Sequence, residues 1–332
     1  MFRKIFPLFL ACIMIFCGSC MDFTKLEDVT VETNAPPKIV FLGDSIAAGF
    51  GLEGYSANDL YNCRSYANIL GERYGNELDG KCGHTMINRA VYGSTSSDLL
   101  EMLESGELDE TLAGSDAVVI SIGGNDMLGV FLGIFSDLGI EDGNFSKDDV
   151  DLLGALKSLA SVSDDIDDAL EQFRKNLKLI VSDVKEKSGG EIFVQTLYDP
   201  FQYFTKIKVL AELSQEKVGK FNEIIAENAA YGDTNFYTVA DLAPVFDGRS
   251  GELTNIPDFD IHPNAQGHTV IAEVVNSAVR KHVYTYTETV EVTDTDAVNT
   301  FVWICIAAGA AVVIVIICVI VALKRRKRKN AE

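Results

Sequence analysis

The sequence predicts a three-layer α/β domain with a doubly wound, flavodoxin-like parallel sheet of about five strands, between an N-terminal signal segment and a C-terminal transmembrane helix. Short apolar runs alternate with helical patterns along the chain. These runs are continuously apolar, which is typical of strands covered on both faces. Between the two apolar ends lie roughly 260 residues, enough for one large domain.

Five apolar runs are the candidate strands, and they are residues 38–42, 85–88, 117–122, 192–196 and 236–239. One helix is marked by an apolar stripe from Ile166 to Val184 and is ended by the run 188–190, Ser-Gly-Gly. Further helices are predicted at about 215–230 and 267–281. Strands that alternate with helices imply parallel pairing and helices on both faces of the sheet.

The first twenty residues are typical of a secretory signal. Two basic residues precede the apolar run 5–17, which is too short to span a bilayer, and small residues follow it. A buried N-terminal helix is the alternative, but no polar face supports it. The run 17–20, Cys-Gly-Ser-Cys, resembles a bacterial lipoprotein cleavage box with Cys17 in place of an aliphatic residue, so lipidation of Cys20 stays open.

The C-terminal apolar run predicts a membrane span. Residues 301–323, from Phe301 to Leu323, carry no charge and as a helix would reach about 35 Å, enough to cross a bilayer. Six basic residues, 324–329, follow at once, and such residues stay cytoplasmic. We therefore expect a single-pass membrane protein whose catalytic domain is extracellular.

These features set the predicted domain boundaries. A polar segment ending in two prolines precedes the domain, and a segment rich in Thr, Glu, Asp and Val follows it. The predicted parts are a signal peptide (1–20), a tether (21–37), the α/β domain (38–283), a stalk (284–300), a transmembrane helix (301–323) and a basic cytoplasmic tail (324–332).

Charge and cysteine content limit the partners. Without the signal segment and the tail, the chain keeps 20 basic and 48 acidic residues, a net charge near −28. Such a surface repels phosphate backbones, so we expect no nucleic-acid partner. Cys63 and Cys82 match no zinc pattern; whether they form a disulfide stays open.

Four short motifs follow the ends of predicted strands. Gly43-Asp44-Ser45 comes directly after the first strand, Gly93 follows the second, and Asn125 lies in Gly-Gly-Asn-Asp after the third. After the last strand comes the run 258–264, which contains His262. In doubly wound folds the ligand site lies beyond the carboxyl ends of the strands, so these motifs are expected to converge there.

The four motifs together resemble the SGNH, or GDSL, hydrolase family. Ser45, Gly93, Asn125 and His262 match its four sequence blocks in order, and the resemblance runs from about Ile39 to Val279. It implies esterase or lipase chemistry in which Ser45 is the nucleophile and His262 the base. The implied oxyanion-hole donors are the Ser45 and Gly93 N–H groups and the Asn125 side chain. We expect no cofactor and no metal.

The acidic member of the catalytic group departs from the family pattern. Many members have an acid three residues before the histidine, where this chain has Phe259. We favour Asp260 over Asp258, and a backbone carbonyl is a third alternative. Whichever group acts would hold the imidazole in the required tautomer.

The substrate is less well defined by the sequence. Residues 128–164 form a long, partly apolar connection, which we interpret as a cap that binds an acyl chain, with Phe201, Tyr203 and Phe204 adding to its wall. These residues would otherwise only complete the core. The expected substrates are carboxylic esters with short or medium acyl chains, of a lipid or an acetylated glycan. O-acyl transfer to a sugar and non-catalytic surface binding are the alternative functions.

Overall fold

The computed structural model describes residues 23–127, 152–205, 208–231 and 234–329. The predicted signal segment, including Cys20, and residues 128–151 of the predicted cap lie outside the described residues. The chain divides into two units: Val31–Tyr286 forms one, and Met1–Thr30 with Thr287–Glu332 forms the other.

The strands of the described chain are β1 (Thr24–Thr33), β2 (Lys38–Gly43), β3 (Thr85–Asn88), β4 (Ala117–Ser121), β5 (Glu191–Gln195), β6 (Ala230–Tyr231), β7 (Thr234–Asn235), β8 (Thr238–Ala240) and β9 (Tyr284–Thr293). Its helices are α1 (Ser45–Ala48), α2 (Tyr66–Leu78), α3 (Ser96–Glu104), α4 (Asp109–Leu112), α5 (Leu152–Ser188), α6 (Lys208–Ala229), α7 (Ala243–Phe246), α8 (Ser250–Leu253), α9 (Ala265–Val279) and α10 (Thr295–Lys329).

The larger unit is built on a five-stranded sheet in the order β3-β2-β4-β5-β8, with every pair parallel. Numbered along the chain among the strands of this sheet alone, these are the second, first, third, fourth and fifth. This is the doubly wound, flavodoxin-like order, so the predicted fold class is confirmed. The fifth strand lies slightly later than predicted, at Thr238–Ala240.

Helices cover both faces of this sheet. On one face Val40 and Leu42 of β2 pack in a core cluster with residues of α3, α5 and α6. On the other face Ile39 and Phe41 pack with residues of α2 and α9. Because alternate residues of one strand enter two different cores, both kinds of position must be apolar, which explains the continuously apolar runs.

Helix α5 contains the predicted apolar stripe and extends it. Ile166, Phe173, Ile180 and Val184 are fully buried along one side. The helix ends at Ser188, followed by Gly189 at φ 71°, as the Ser-Gly-Gly run predicts. It begins at Leu152, so the last part of the predicted cap region belongs to this helix.

The segments predicted as tether and stalk hold strands that the sequence analysis did not include. Strands β1 and β9 form a two-stranded sheet. In the smaller unit Thr24 Oγ1 donates a hydrogen bond to Glu291 at 2.6 Å, and Thr289 Oγ1 donates to Asp28 at 2.7 Å. Exposed and half-buried residues alternate along β9, which is the period of a strand with one covered face.

Helix α10, in the smaller unit, contains the predicted span. It is long and apolar enough to cross a membrane, with a mean hydropathy of 3.3 over its most apolar window. Among the described cysteines, Cys63 and Cys82 do not form a disulfide with each other. Cys63 is buried, and its thiol approaches the carbonyl oxygen of Ala48 at 3.7 Å.

Candidate active site

Ser45 lies in a tight turn at the carboxyl end of β2. Asp44 caps the short helix α1 by accepting a hydrogen bond from the Ile46 N–H at 3.0 Å, and Ser45 is the first residue of that helix. Gly43 has φ 144°, and a Cβ there would lie 2.0 Å from the carbonyl oxygen of Ser121. Only glycine fits this junction, which leads the chain from the sheet directly to Ser45.

Ser45, His262 and Asp260 form a chain of side-chain hydrogen bonds. The Ser45 Oγ lies 2.9 Å from His262 Nε2, and Asp260 Oδ1 lies 2.5 Å from His262 Nδ1. With a carboxylate at Nδ1, the proton belongs on that nitrogen, and Nε2 is left to accept the Ser45 O–H. Ser45 is 5% exposed and His262 8% exposed, so these two members are largely shielded from water, whereas the Asp260 side chain is 33% exposed.

The loop before His262 explains why Asp260 and not Asp258 reaches the imidazole. A single 3-10 turn, Ile256–Asp258, ends at Phe259, whose φ of 61° is left-handed. The reversal brings Asp260 back so that it also accepts the His262 N–H at 3.1 Å and the Asn255 side-chain amide at 3.3 Å. Asp258 is exposed and, within the described chain, makes no hydrogen bond to the imidazole.

Gly93 and Asn125 lie on two neighbouring segments that are tied together. The Val91 N–H donates to the Gly43 carbonyl at 2.9 Å, which holds the segment after β3 against the end of β2. Asn125 lies in a helical turn after β4, and its Nδ2 donates to the Ser94 carbonyl at 2.9 Å. Gly93 has φ 79°, and no atom of the described chain lies within 4 Å of the place of a Cβ.

The main-chain N–H groups of Ser45 and Gly93 remain available at this edge. Within the described chain, neither donates a hydrogen bond to a protein acceptor. An oxygen atom held beside Ser45 could therefore accept from them without breaking an existing bond. Main-chain donors of this kind stabilise the oxyanion of acyl transfer in serine hydrolases.

Two aspartates that the sequence analysis did not single out shape the surroundings: Asp44 is buried and Asp126 is half-buried. Asp126 accepts the Ser96 N–H at 2.9 Å and the Ser96 hydroxyl at 2.5 Å, which fixes the start of α3 beside Asn125. Burial raises the pKa of both carboxyls; that of Asp44 rises to about 7, and the nearby Asp126 adds to its shift. For Asp126 the available sequence signal was its place at the end of the Gly-Gly-Asn-Asp run.

An aromatic rim covers one side of His262, and the sequence analysis missed it as well. The Phe50 ring centroid lies 4.7 Å from that of the imidazole, and Tyr92 packs on Phe50 at 4.5 Å. Tyr92 is 54% exposed. The rim therefore presents aromatic faces to solvent beside the imidazole.

The three aromatic residues assigned to the wall of an acyl site have different places. Phe201 is buried beside the turn that holds Ser45 and lines a small apolar cavity there. Phe204 is 9% exposed and packs against Phe259, with ring centroids 5.7 Å apart. Tyr203 is 45% exposed, so of the three only Phe201 lines the cavity. The aromatic residues of the predicted cap, such as Phe131 and Phe135, lie outside the described residues.

Comparison with known proteins agrees with this architecture. Residues 41–270 match the GDSL-like Lipase/Acylhydrolase family. A protein of Bacillus subtilis (strain 168), Uncharacterized protein YpmR, is 24% identical over 288 residues, which cover 84% of this chain and 96% of that protein.

Solved structures of lipases share the fold. The lipase Lip_vut3 from a goat rumen metagenome aligns with a TM-score of 0.53 and 20% identity, over 73% of this chain and 96% of that one. An extracellular lipase from Streptomyces rimosus also has a TM-score of 0.53 and 20% identity, over 73% of this chain and 99% of that one. At this identity the likeness concerns the fold.

Proposed function

Because this chain belongs to the GDSL-like lipase/acylhydrolase family, a family of esterases and acylhydrolases, we propose that it is a serine esterase that hydrolyses carboxylic esters through an acyl-serine intermediate. The observation that carries the proposal is the hydrogen-bonded series Ser45–His262–Asp260, with distances of 2.9 and 2.5 Å. A serine hydroxyl becomes an effective nucleophile when a base within hydrogen-bond reach removes its proton.

In the first step Ser45 Oγ attacks the ester carbonyl carbon while His262 Nε2 takes the hydroxyl proton. Asp260 holds the imidazole by Nδ1 and stabilises the imidazolium that forms. The negative carbonyl oxygen accepts hydrogen bonds from the Ser45 and Gly93 N–H groups and the Asn125 amide. The bond to the alcohol oxygen then breaks, and His262 returns the proton to the leaving alcohol.

In the second step water replaces the alcohol. His262 takes a proton from the water as its oxygen attacks the acyl carbon, and the same donors stabilise the second oxyanion. The bond to Ser45 Oγ breaks, His262 returns the proton to that oxygen, and the carboxylic acid leaves. Each oxyanion donor is worth about 2.7–4 kcal/mol in the transition state.

We further propose that helix α10 anchors the enzyme in a membrane with the catalytic domain outside the cytoplasm. The support is the length and apolar character of the helix together with the six basic residues at its C-terminal end. Basic residues beside a span stay on the cytoplasmic side, so the domain that precedes the span would face outward.

The test uses the full chain in a detergent that carries no ester. We expect hydrolysis of p-nitrophenyl acetate and butyrate by the wild type, and a loss of at least about 10³-fold in kcat for Ser45→Ala. A fluorophosphonate should phosphonylate Ser45 Oγ with release of fluoride, so the peptide that contains Ser45 gains the mass of the phosphonyl group. Ser115→Ala, which removes another buried serine hydroxyl, is the matched control and should keep its activity.

The outcome also separates the alternatives. A folded wild type that releases no acid from any ester, but moves the acyl group to an added sugar, would identify an O-acyltransferase. A chain that neither hydrolyses nor transfers, and whose Ser45 is not labelled, would identify a binding module.

A further inference from the structure

A small cavity lies between the segments that carry the site residues. Three of its lining residues are chain neighbours of site residues: Ile46 follows Ser45, Gly124 precedes Asn125, and Ile261 precedes His262. Phe201 and Val218 also line it. The segments that carry Ser45, Asn125 and His262 thus each contribute to its wall, and the cavity lies next to the site.

The chemistry of the lining suits a hydrocarbon chain. Its side chains are almost all apolar, and they include Met127, Leu197 and Phe201. On the far side of Gly93 lies a different surface: an open groove of about 430 Å³ lined by Asp98, Glu101 and Glu107 among others. An ester has one acyl arm and one alcohol arm, and only the first surface favours an apolar arm.

The cavity is small. Its volume is about 60 Å³. On the same scale one water needs roughly 10–15 Å³, so the cavity holds about four to six groups of that size. Acetyl, propionyl and butyryl chains fit this space, whereas the seven carbons beyond the carbonyl of octanoate do not.

Hydrogen bonds hold the wall in place. The side chain of Asn222 forms hydrogen bonds with both main-chain groups of Leu197. Its Oδ1 accepts from the Leu197 N–H at 2.8 Å, and its Nδ2 donates to the Leu197 carbonyl at 2.9 Å. The Tyr198 hydroxyl donates to the Ile261 carbonyl at 2.8 Å, which joins this wall to the loop of His262. Moving this wall outward would break these partly buried hydrogen bonds, which opposes widening of the cavity.

We propose that this cavity receives the acyl group and restricts it to about four to six carbons beyond the carbonyl, so that the enzyme hydrolyses esters of shorter acyl chains in preference to octanoyl and longer ones. The proposal rests on the proposed serine esterase function, and it assigns Phe201 and Val218 as the residues that set the chain-length limit. A longer acyl chain would have to stay outside the cavity, where it loses the favourable burial of its methylene groups.

The experiment compares kcat/KM of the full chain in detergent for p-nitrophenyl acetate, butyrate and octanoate. For the wild type we expect at least tenfold higher values for butyrate than for octanoate. Val218→Phe fills the cavity and should lower the butyrate-to-acetate ratio at least tenfold. Phe201→Ala lengthens the cavity and should raise the octanoate-to-acetate ratio at least tenfold.

Val181→Phe is the matched control. Val181 is also buried, at 4% exposure, and lines a separate cavity between α5 and α6 that shares no lining residue with the first. It receives the same added bulk, so it should leave both ratios within about twofold of the wild type. Melting temperatures of all three variants, by circular dichroism, identify any that fail to fold.

Two results would overturn the acyl-cavity proposal. One is that the wild type hydrolyses octanoate as fast as butyrate. The other is that Val218→Phe and Val181→Phe change the butyrate-to-acetate ratio of kcat/KM by the same amount. Fluorophosphonate labelling separates this from failure of the esterase function. A labelled Ser45 with the wrong chain preference overturns the cavity assignment alone, whereas an unlabelled Ser45 without ester hydrolysis overturns both.

Discussion

Two aspartates flank Phe259, and the structure gives them different surroundings. Asp260 accepts from the imidazole at 2.5 Å, whereas Asp258 is exposed. We predict that Asp260→Asn lowers kcat for p-nitrophenyl acetate by about 10³–10⁴-fold, because an amide at this place favours the wrong imidazole tautomer. Asp258→Asn, a chemically identical change two residues away, should alter kcat by less than about threefold. Equal losses in the two variants would contradict the assignment of Asp260.

Asp44 adds a pH dependence to the stability of the fold. Burial raises the pKa of its carboxyl from 3.8 to about 7. Between these two pH values the folded state keeps the proton on Asp44, whereas the unfolded state has released it. Asp44 therefore contributes its full stabilisation of the folded state below about pH 4, and this stabilisation is lost as the pH rises through about 7. At 1.36 kcal/mol per pKa unit, the full loss is up to about 4 kcal/mol.

We therefore predict that the free energy of unfolding of the wild type falls between pH 5 and pH 8, and that Asp44→Asn removes most of this fall. The amide oxygen of Asn can still accept from the Ile46 N–H, so the cap of α1 is kept. Urea unfolding followed by circular dichroism at both pH values measures the difference. The prediction fails if the variant loses stability with pH as steeply as the wild type.

At the scale of elements, the sequence predicted the features that depend on burial. The three central strands, β2, β4 and β5, were predictable because nearly all of their residues are buried, whereas the edge strands β3 and β8 are only partly buried. The stripe from Ile166 to Val184 was predictable because α5 buries one side. Strands β1 and β9 were missed although Val290 and Val292 alternate with the polar residues Thr289, Glu291 and Thr293. The strands of a two-stranded sheet are not covered on both faces, so neither strand has a continuous apolar run. The sequence analysis therefore predicts a polar stalk at β9 instead of a strand.

The candidate site was predictable where a motif fixes the backbone. Gly43 must be glycine because a Cβ would meet the Ser121 carbonyl, so Gly-Asp-Ser carries information about local structure. The choice between Asp258 and Asp260 depends on the left-handed conformation of Phe259, which bulky residues rarely adopt. The approach of Phe50 to His262 joins loops more than 200 residues apart and has no local signal.

At the scale of the whole molecule, the distribution of charge suggests how the chain is oriented. The part between the two apolar ends carries 20 basic and 48 acidic residues, whereas residues 324–329 are all basic. Basic residues beside a span stay on the cytoplasmic side, so the basic tail resists transfer across the membrane. Acidic residues have little influence on the orientation of a span. If α10 spans a membrane as proposed, we expect the tail, and not the acidity of the domain, to set its orientation.

We predict that protease added to intact cells that express the chain with a C-terminal epitope digests the catalytic domain and leaves a small epitope-bearing fragment of α10 and its tail. Permeabilised cells should lose the epitope as well, which shows that the protease can cleave it. Replacing the six basic residues at 324–329 by Gln removes the charges that hold the tail inside, so the epitope should become accessible in a larger share of intact cells. If the domain resisted protease in intact cells but not in permeabilised ones, the orientation would be the reverse, and Ser45 would act on substrates inside the cell.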